Sequence, residues 1–445
     1  MSDYIYMLES HLSPDQNRVV EEVQAAAAQA NFNLFLTGGA MRDMLAGSRI
    51  RDLDFVVEGN PLKLTKTLAE HTGAKIVSTD ENRKSADLVF PSGVTAQVAM
   101  ARQEKYGKPG SRPQISPATI QEDLRGRDFT CNAIALSLNK ASRGLLLDPM
   151  NGLADIERRE LRSVSTYGFY DDPSRLLRLV RFRVRMAFLA EERTAMQVAN
   201  ARESNVQESI PRRVLGEELK RISAEDSPAE ILKALEDEGL LTLFSPVLAG
   251  PKSNSAGLAK FEKVSRMMPD DVRSRNARWG PFLFALTEKF SPKEKQALIK
   301  GLELGKADVD AWQKLEARAK KLETALRSQR IRKASQVYHI VANAAPDEVL
   351  FLLYHSGLKP VQERLRNYFQ KYLVTVMEIP AEEWATIEAK PGTPKYAKAR
   401  EDFITVRLDR RPKKVEPPPP APPPPPPQQL AGPRRGRQPM TAPRS

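Results

Sequence analysis

Cysteine is almost absent from this 445-residue chain: Cys131 stands alone. That excludes an internal disulfide framework and any zinc site built on paired cysteines. Histidine is scarce too, and His11, His71, His339 and His355 form no His-Asp dyad. No apolar run approaches the roughly 18 residues that cross a bilayer. The start, Met1-Ser2-Asp3-Tyr4-Ile5-Tyr6, carries an acid where a signal peptide would be basic. The expected location is therefore cytoplasmic, with no membrane partner. What is present is a 49.8 kDa chain, 41% hydrophobic and 28% charged, as in globular proteins with two or three buried cores.

The net charge of +13 points to a polyanionic partner. Much of it is local, because Arg410, Arg411, Lys413, Lys414, Arg434, Arg435, Arg437 and Arg444 face only Glu416 after Asp409. On composition, a solvated basic tail and a nucleic-acid arm are equally good readings. The run Pro417–Pro420, Ala421, Pro422–Pro427 favours polyproline II, so 410–445 reads as a disordered tail.

The first 150 residues alternate strand and helix signals. Strands are expected at 33–37, 53–57, 94–101 and 145–147, and helices at 62–72 and around Asn132 to Leu138. The Gly/Pro-rich stretch between Glu104 and Pro117 reads as a loop. From Pro173 onward the pattern is helical, with apolar residues at three- and four-residue spacing over 231–244, 282–302, 311–328 and 349–373.

The chemistry starts at Arg51-Asp52-Leu53-Asp54-Phe55. Residues two apart in a strand point the same way, so Asp52 and Asp54 share a face. Two neighbouring carboxylates repel unless a cation sits between them. Mg²⁺ prefers such oxygens and keeps positions for substrate phosphates. An isolated Asp-x-Asp is also a common solvated strand end. The preceding Gly38-Gly39-Ala40-Met41-Arg42-Asp43 adds a strand-to-helix turn suited to phosphate and a guanidinium in Arg42. The plainer alternatives are a tight turn and an Arg42–Asp43 surface ion pair.

Downstream, Asp172 before Pro173 reads as an N-cap with proline at the first helical position. On the helix that follows, Leu176, Leu177, Val180, Val184 and Phe188 gather on one side. Arg178, Arg181 and Arg185 gather on another, with Arg175 adjacent, as a basic face that could equally be solvated.

Gly38 to Asp43 followed by Asp52-Leu53-Asp54 resembles the first motif of the class II tRNA nucleotidyltransferase (CCA-adding enzyme) and bacterial poly(A) polymerase family. Gly126-Arg127-Asp128-Phe129-Thr130-Cys131-Asn132-Ala133 resembles the second motif, and Asp148-Pro149-Met150-Asn151-Gly152-Leu153-Ala154-Asp155-Ile156 the third. Asp171-Asp172-Pro173-Ser174-Arg175-Leu176-Leu177-Arg178-Leu179-Val180-Arg181-Phe182 resembles the fourth. The four motifs span roughly residues 34–190.

The resemblance implies an α+β fold, with a nucleotidyltransferase head like that of DNA polymerase beta (1–155), carrying a mixed sheet and helices. An all-helical neck (156–225), a helical body and tail for tRNA binding (226–405) and a disordered Pro-rich end (406–445) would follow. It implies transfer of CMP and AMP from CTP and ATP to a tRNA 3′ end, with Asp52 and Asp54 catalytic and holding Mg²⁺. Gly39, Arg42, Arg127, Asp172, Arg175, Arg178 and Arg181 would line the nucleotide site, with Asp172 and Arg175 reading the base edge. Asp128 anchors the second motif or caps the next helix, and Cys131 packs.

Gly126, Asp171 and Gln97 depart from the family pattern, where an arginine, a glutamate and often an acid stand. Residues 76–85 lack the basic segment common in poly(A) polymerases, and a loop fills 104–117, so full CCA addition is the expected activity. An A-adding specialist, a poly(A) polymerase and a non-catalytic RNA-binding relative are the alternatives. Lys314, Arg318, Lys320, Lys321, Arg327, Arg330, Arg332 and Lys333 suit contact with tRNA phosphates or a solvated face.

Overall fold

The structure, a computed structural model, describes residues 3–269, 275–390 and 393–410. Seven strands form the main sheet of the head: β1 (Leu34–Thr37), β2 (Leu53–Val57), β3 (Lys75–Asp80), β4 (Ser85–Val89), β5 (Thr95–Met100), β8 (Ala135–Ser137) and β9 (Leu146–Leu147). A separate two-stranded ribbon holds β6 (Arg102–Lys105) and β7 (Gln114–Pro117). The main order is β3-β4-β5-β2-β1-β8-β9. Only β2 and β5 pair in parallel, so the sheet is mixed.

Both faces of the central strands are covered, which is why β1 reads as an unbroken apolar run. Leu34, Leu36, Leu53, Phe55 and Val57 join the larger head core with Val19, Val23, Met41 and Met44. Phe35 and Val56 point the other way, onto Ile120, Leu124, Ala133 and Ala135. Asp54 lies between Leu53 and Phe55 in sequence and therefore shares the face of Val56.

Two expectations change here. The helix expected around Asn132 to Leu138 is a single 3₁₀ turn, Thr130–Asn132, followed by β8. Ala133 to Leu136 are fully buried, and a short apolar run buried on all sides has no period to separate helix from strand. The stretch expected as a loop between Glu104 and Pro117 is the β6–β7 ribbon, with only 106–113 as its connection.

The Arg175–Met186 helix joins the two halves of the protein. Leu176, Leu179 and Phe182 pack into the head core, whereas Leu177 and Val180 belong to the helical core with Leu219, Ile231, Leu235 and Phe282. The sequence pattern put Leu176 and Leu177 on one common side; the structure gives each a different core. The neck also contains a short parallel strand pair, Glu160–Leu161 with Leu189–Ala190, so it is not all helical.

The long periodic stretches are broken into shorter helices. The 282–302 stretch divides into Arg275–Leu286 and Pro292–Gly301, the second opened by a Ser291–Glu294 capping box. The 349–373 stretch becomes Pro346–His355 and Lys359–Asn367, followed by a π-helical turn over Tyr368–Tyr372. Pro394–Asp409 is helical and packs Ile404 on Val376 and Ile379, so the segment given as a tail from 406 begins inside a helix. The rest of that expected tail, 411–445, lies outside the described residues. Among the described residues no helix is long and apolar enough to cross a membrane.

Candidate active site

β1 ends at Thr37, and the chain turns through Gly38, at φ +62°, into the Gly38–Leu45 helix. A Cβ on Gly38 or Gly39 would come within 3.1 Å of Asp54 Oδ2, so the turn lies against that carboxylate. Gly39 N–H donates to Asp54 Oδ2 at 2.9 Å. Asp52, exposed just ahead of β2, accepts from Thr95 Oγ1 at 2.5 Å. Burial, and then the charge of Asp52, push Asp54 up to about 6 against the pull of Gly39 N–H, Arg127 and Arg42. Two carboxylates on one strand face, one of them destabilised in its charged form, fit a divalent cation. Among the described residues no group of three or more His, Cys, Asp or Glu side chains gathers to hold a metal. A pair of carboxylates alone could hold a cation such as Mg²⁺, which keeps water and phosphate ligands of its own.

The 126–132 segment runs between the carboxylates and the neck. Arg127 donates through Nε and Nη2 to Asp123 Oδ2 at 2.9 and 2.6 Å, and its charge acts on Asp54. Asp128 accepts from Phe129 N–H, from Asn132 Nδ2 at 2.9 Å and from Arg178 Nη1 at 2.9 Å. Burial pushes Asp128 up, but Arg178, then Arg175 and these hydrogen bonds, bring it down to about 2. Asp128 is therefore an anchor between segments. The following 3₁₀ turn carries no side-chain cap.

In the neck, Asp172 Oδ1 accepts from Ser174 N–H at 3.1 Å and Ser174 Oγ at 2.5 Å. Its carbonyl accepts from Arg175 N–H at 3.0 Å, so the helix opens with a tight turn and is regular from Arg175. Arg178 Nη2 donates to Asp172 Oδ2, tying Asp172 and Asp128 together. Arg175 donates through its two terminal nitrogens to the carbonyls of Arg127 and Gly126, at 3.3 and 3.1 Å. A backbone carbonyl does this, so Gly126 needs no side chain for it. Arg175 Nε is buried without a hydrogen-bond partner among the described residues, 3.9 Å from Asp172 Oδ2. An unpaired buried donor beside a carboxylate lacks a partner that the described residues supply.

Arg42 and Arg181 sit differently from that cluster. Arg42 is 3% exposed and donates through Nε and Nη2 to Asp43 Oδ1 at 2.9 and 2.7 Å, and through Nη1 to Asn132. Arg181 is 5% exposed and bonds Glu218 at 2.6 Å and Glu225 at 3.0 Å. Their guanidiniums lie 5.0 and 4.6 Å from the Phe182 ring centroid. Arg185 closes the network on Asp43 at 2.6 Å, and Arg51 reaches Glu225 and Asp226. The Arg42–Asp43 pair is thus buried and not at the surface.

Sequence reading offered Asp43 only as a surface partner of Arg42, and did not find it as a partner of Arg185 or find Glu218 and Glu225 as partners of Arg181. Glu218 and Glu225 lie 37 and 44 residues from Arg181, and Asp43 lies 142 from Arg185, so no local pattern announces them. It also passed over Tyr106. The hydroxyl donates to Glu104 Oε2 at 2.6 Å, and Glu104 is further held by Arg102 and Arg83. Burial pushes Tyr106 up, followed by Glu104, with the charge of Asp172 adding to it. Gly110, at φ +66°, packs on the backbone of Ser209 too tightly for a Cβ, so the ribbon spans from head to neck.

Residues 34–162 match the Poly A polymerase head domain. The chain is 36% identical over 241 residues to an A-adding tRNA nucleotidyltransferase of Halalkalibacterium halodurans, covering 53% of this chain and 56% of that protein. It is 38% identical over 210 residues to a CC-adding tRNA nucleotidyltransferase of Deinococcus radiodurans, covering 47% and 55%. The chain spans about half the length of these curated relatives. A solved CCA-adding enzyme, in an apo form, superposes with a TM-score of 0.53 at 26% identity over 92% of this chain and 95% of that one. With a matched head and this fold, the chain is similar to the tRNA nucleotidyltransferases over its first half and shares the fold of a CCA-adding enzyme.

Proposed function

We propose that this protein adds nucleotides to the 3′ end of tRNA, transferring CMP and AMP from CTP and ATP with release of pyrophosphate. One observation carries the reading. The Asp52/Asp54 pair and the Asp172–Arg175–Arg178 cluster are linked through one short segment, since the charge of Arg127 bears on Asp54 while Asp128 and the carbonyls of 126 and 127 hold the neck arginines. A phosphate-reacting centre is thereby tied to a base-sized polar edge.

In this reading Asp52 and Asp54 hold Mg²⁺, which supplies the charge that activates a hydroxyl and neutralises departing pyrophosphate. Gly39 N–H fixes the Asp54 carboxylate, and the absence of a Cβ there leaves room for a triphosphate to approach. Arg127 offers positive charge beside Asp54. Asp172 accepts from an exocyclic amine and Arg175 Nε donates to a ring acceptor, which suits C and A and disfavours U and G. Arg178 holds Asp172 ionised and in place. Arg42 and Arg181 act from behind, by fixing the catalytic turn and the neck helix. The exposed basic side chains from Lys314 to Lys333 give the helical region a surface for tRNA phosphates.

An A-only activity is the second reading, favoured by the similarity to an A-adding relative. The test offers labelled CTP and ATP, separately and together, to tRNA lacking CCA, to tRNA ending in CC and to unstructured RNA. Incorporation of both nucleotides into the first supports CCA addition; incorporation of A into the second with nothing added to the first supports the specialist. Long A tails on unstructured RNA, or tRNA binding with no incorporation under Mg²⁺, would overturn the proposal.

A further inference from the structure

Gln97 lies on β5 as the cross-strand neighbour of Asp54 on β2, and Asp87 on β4 is its neighbour on the other side. Cross-strand partners share a face, and the Thr95–Asp52 hydrogen bond marks this as the face of the carboxylate pair. Asp54, Gln97, Asp87 and Ser78 thus form one polar row across four strands. Gln97 Nε2 donates to Asp87 Oδ1 at 2.8 Å, and Ser78 Oγ donates to Asp87 Oδ2 at 2.5 Å. An ionised carboxylate only accepts, so the amide must turn its nitrogen to Asp87. The amide oxygen is left uncommitted to Asp87, on the strand that separates Asp87 from Asp54.

We propose that Asp87 is a positioning residue that fixes the Gln97 amide so its oxygen serves the divalent-cation site at Asp52 and Asp54, directly or through water. The inference rests on the proposed reading of that pair as the cation site. Carbonyl oxygen suits Mg²⁺, and an amide nitrogen in the same place would repel it. The free charge of Asp87 is a poor alternative explanation. Adjacent strands are about 4.8 Å apart, so Asp87 lies two strands, roughly 10 Å, from the Asp54 backbone. That is beyond the Debye length of about 8 Å at physiological ionic strength. Ser78 occupies the second Asp87 oxygen and holds the carboxylate toward Gln97.

The experiment measures Mn²⁺ binding to the full chain by electron paramagnetic resonance, without nucleotide. Thermal unfolding of each variant in chelator checks that the fold is kept. Asp87→Ala and Gln97→Ala are each expected to weaken binding about tenfold, in the range for residues that orient metal ligands. The double variant is expected to be no worse than either single one, because both changes remove one oriented oxygen. Asp87→Asn, which allows either amide orientation, is expected to fall between. Effects of Asp87→Ala and Gln97→Ala that multiply, or an Asp87→Ala loss that persists undiminished beside Gln97→Ala, would overturn the inference while leaving the cation site standing. Mn²⁺ binding indifferent to Asp52→Ala would instead overturn the cation site, and the inference with it.

Discussion

Asp54→Asn is expected to stabilise the metal-free protein at neutral and alkaline pH. The carboxyl is raised from an ordinary 3.8 to about 6, by burial first and Asp52 second. Between these values the folded state binds more protons than the unfolded one, so stability falls as pH rises from about 4 to 6 and the full penalty applies above 6. A shift of about two units corresponds to roughly 3 kcal/mol, and partial solvent access at the mouth of the site reduces this to about 1–2 kcal/mol. Asparagine removes the charge and keeps an oxygen for Gly39 N–H. In chelator at pH 8 the unfolding midpoint should rise by about 2–6 °C, and the gain should vanish near pH 4. Millimolar Mg²⁺ should raise the midpoint of the wild type by binding and leave the variant nearly unmoved. Differential scanning fluorimetry at pH 4, 6 and 8, with and without Mg²⁺, reads all four arms. A gain independent of pH, or an Asp54→Asn protein less stable than wild type at pH 8 in chelator, would refute the reasoning.

Glu225→Gln should destabilise by about 3 kcal/mol at pH 7 in urea unfolding, since it strips the buried Arg181 and Arg185 of a shared charge. Burial pushes Glu225 up, yet Arg185, then Arg181 and Arg51, bring it down to about 2, so this contribution is complete above about pH 4.5 and is lost as pH falls toward 2; a loss under about 0.5 kcal/mol at pH 7 would contradict the network. Gly39→Ala places a Cβ 3.1 Å from Asp54 Oδ2 and should cut nucleotide incorporation by about 10²-fold while the unfolding midpoint barely moves; unchanged kcat would show that the turn does not approach the substrate. Arg175→Ala should lower discrimination against UTP and GTP by about 10–100-fold, the worth of one good base-edge pair; unchanged selectivity with reduced kcat would assign Arg175 to holding the 126–127 segment instead.

The sequence by itself located the candidate chemistry of this protein. A strand, a Gly-Gly turn and Asp-x-Asp are local, and strand geometry alone places Asp52 and Asp54 on one face. The order of the four motifs carried the rest, and the α+β head with a helical remainder followed from the change of period near Pro173. Local rules failed where burial overrides period, as at Ala133 to Leu136, or where turns interrupt a long helical pattern, as at Ser291-Pro292.

Only the tertiary structure decided which arginines are fully matched by acceptors. Arg42, Arg175, Arg178 and Arg181 look alike in the chain, and their partners are acids and carbonyls up to 90 residues away. A guanidinium in a dry interior must be matched by an acceptor, and where Asp43, Glu218 and Glu225 supply it the arginine becomes part of the frame. Arg175 keeps one unmatched donor beside Asp172. Which arginines were matched depended on long-range packing that no spacing rule records.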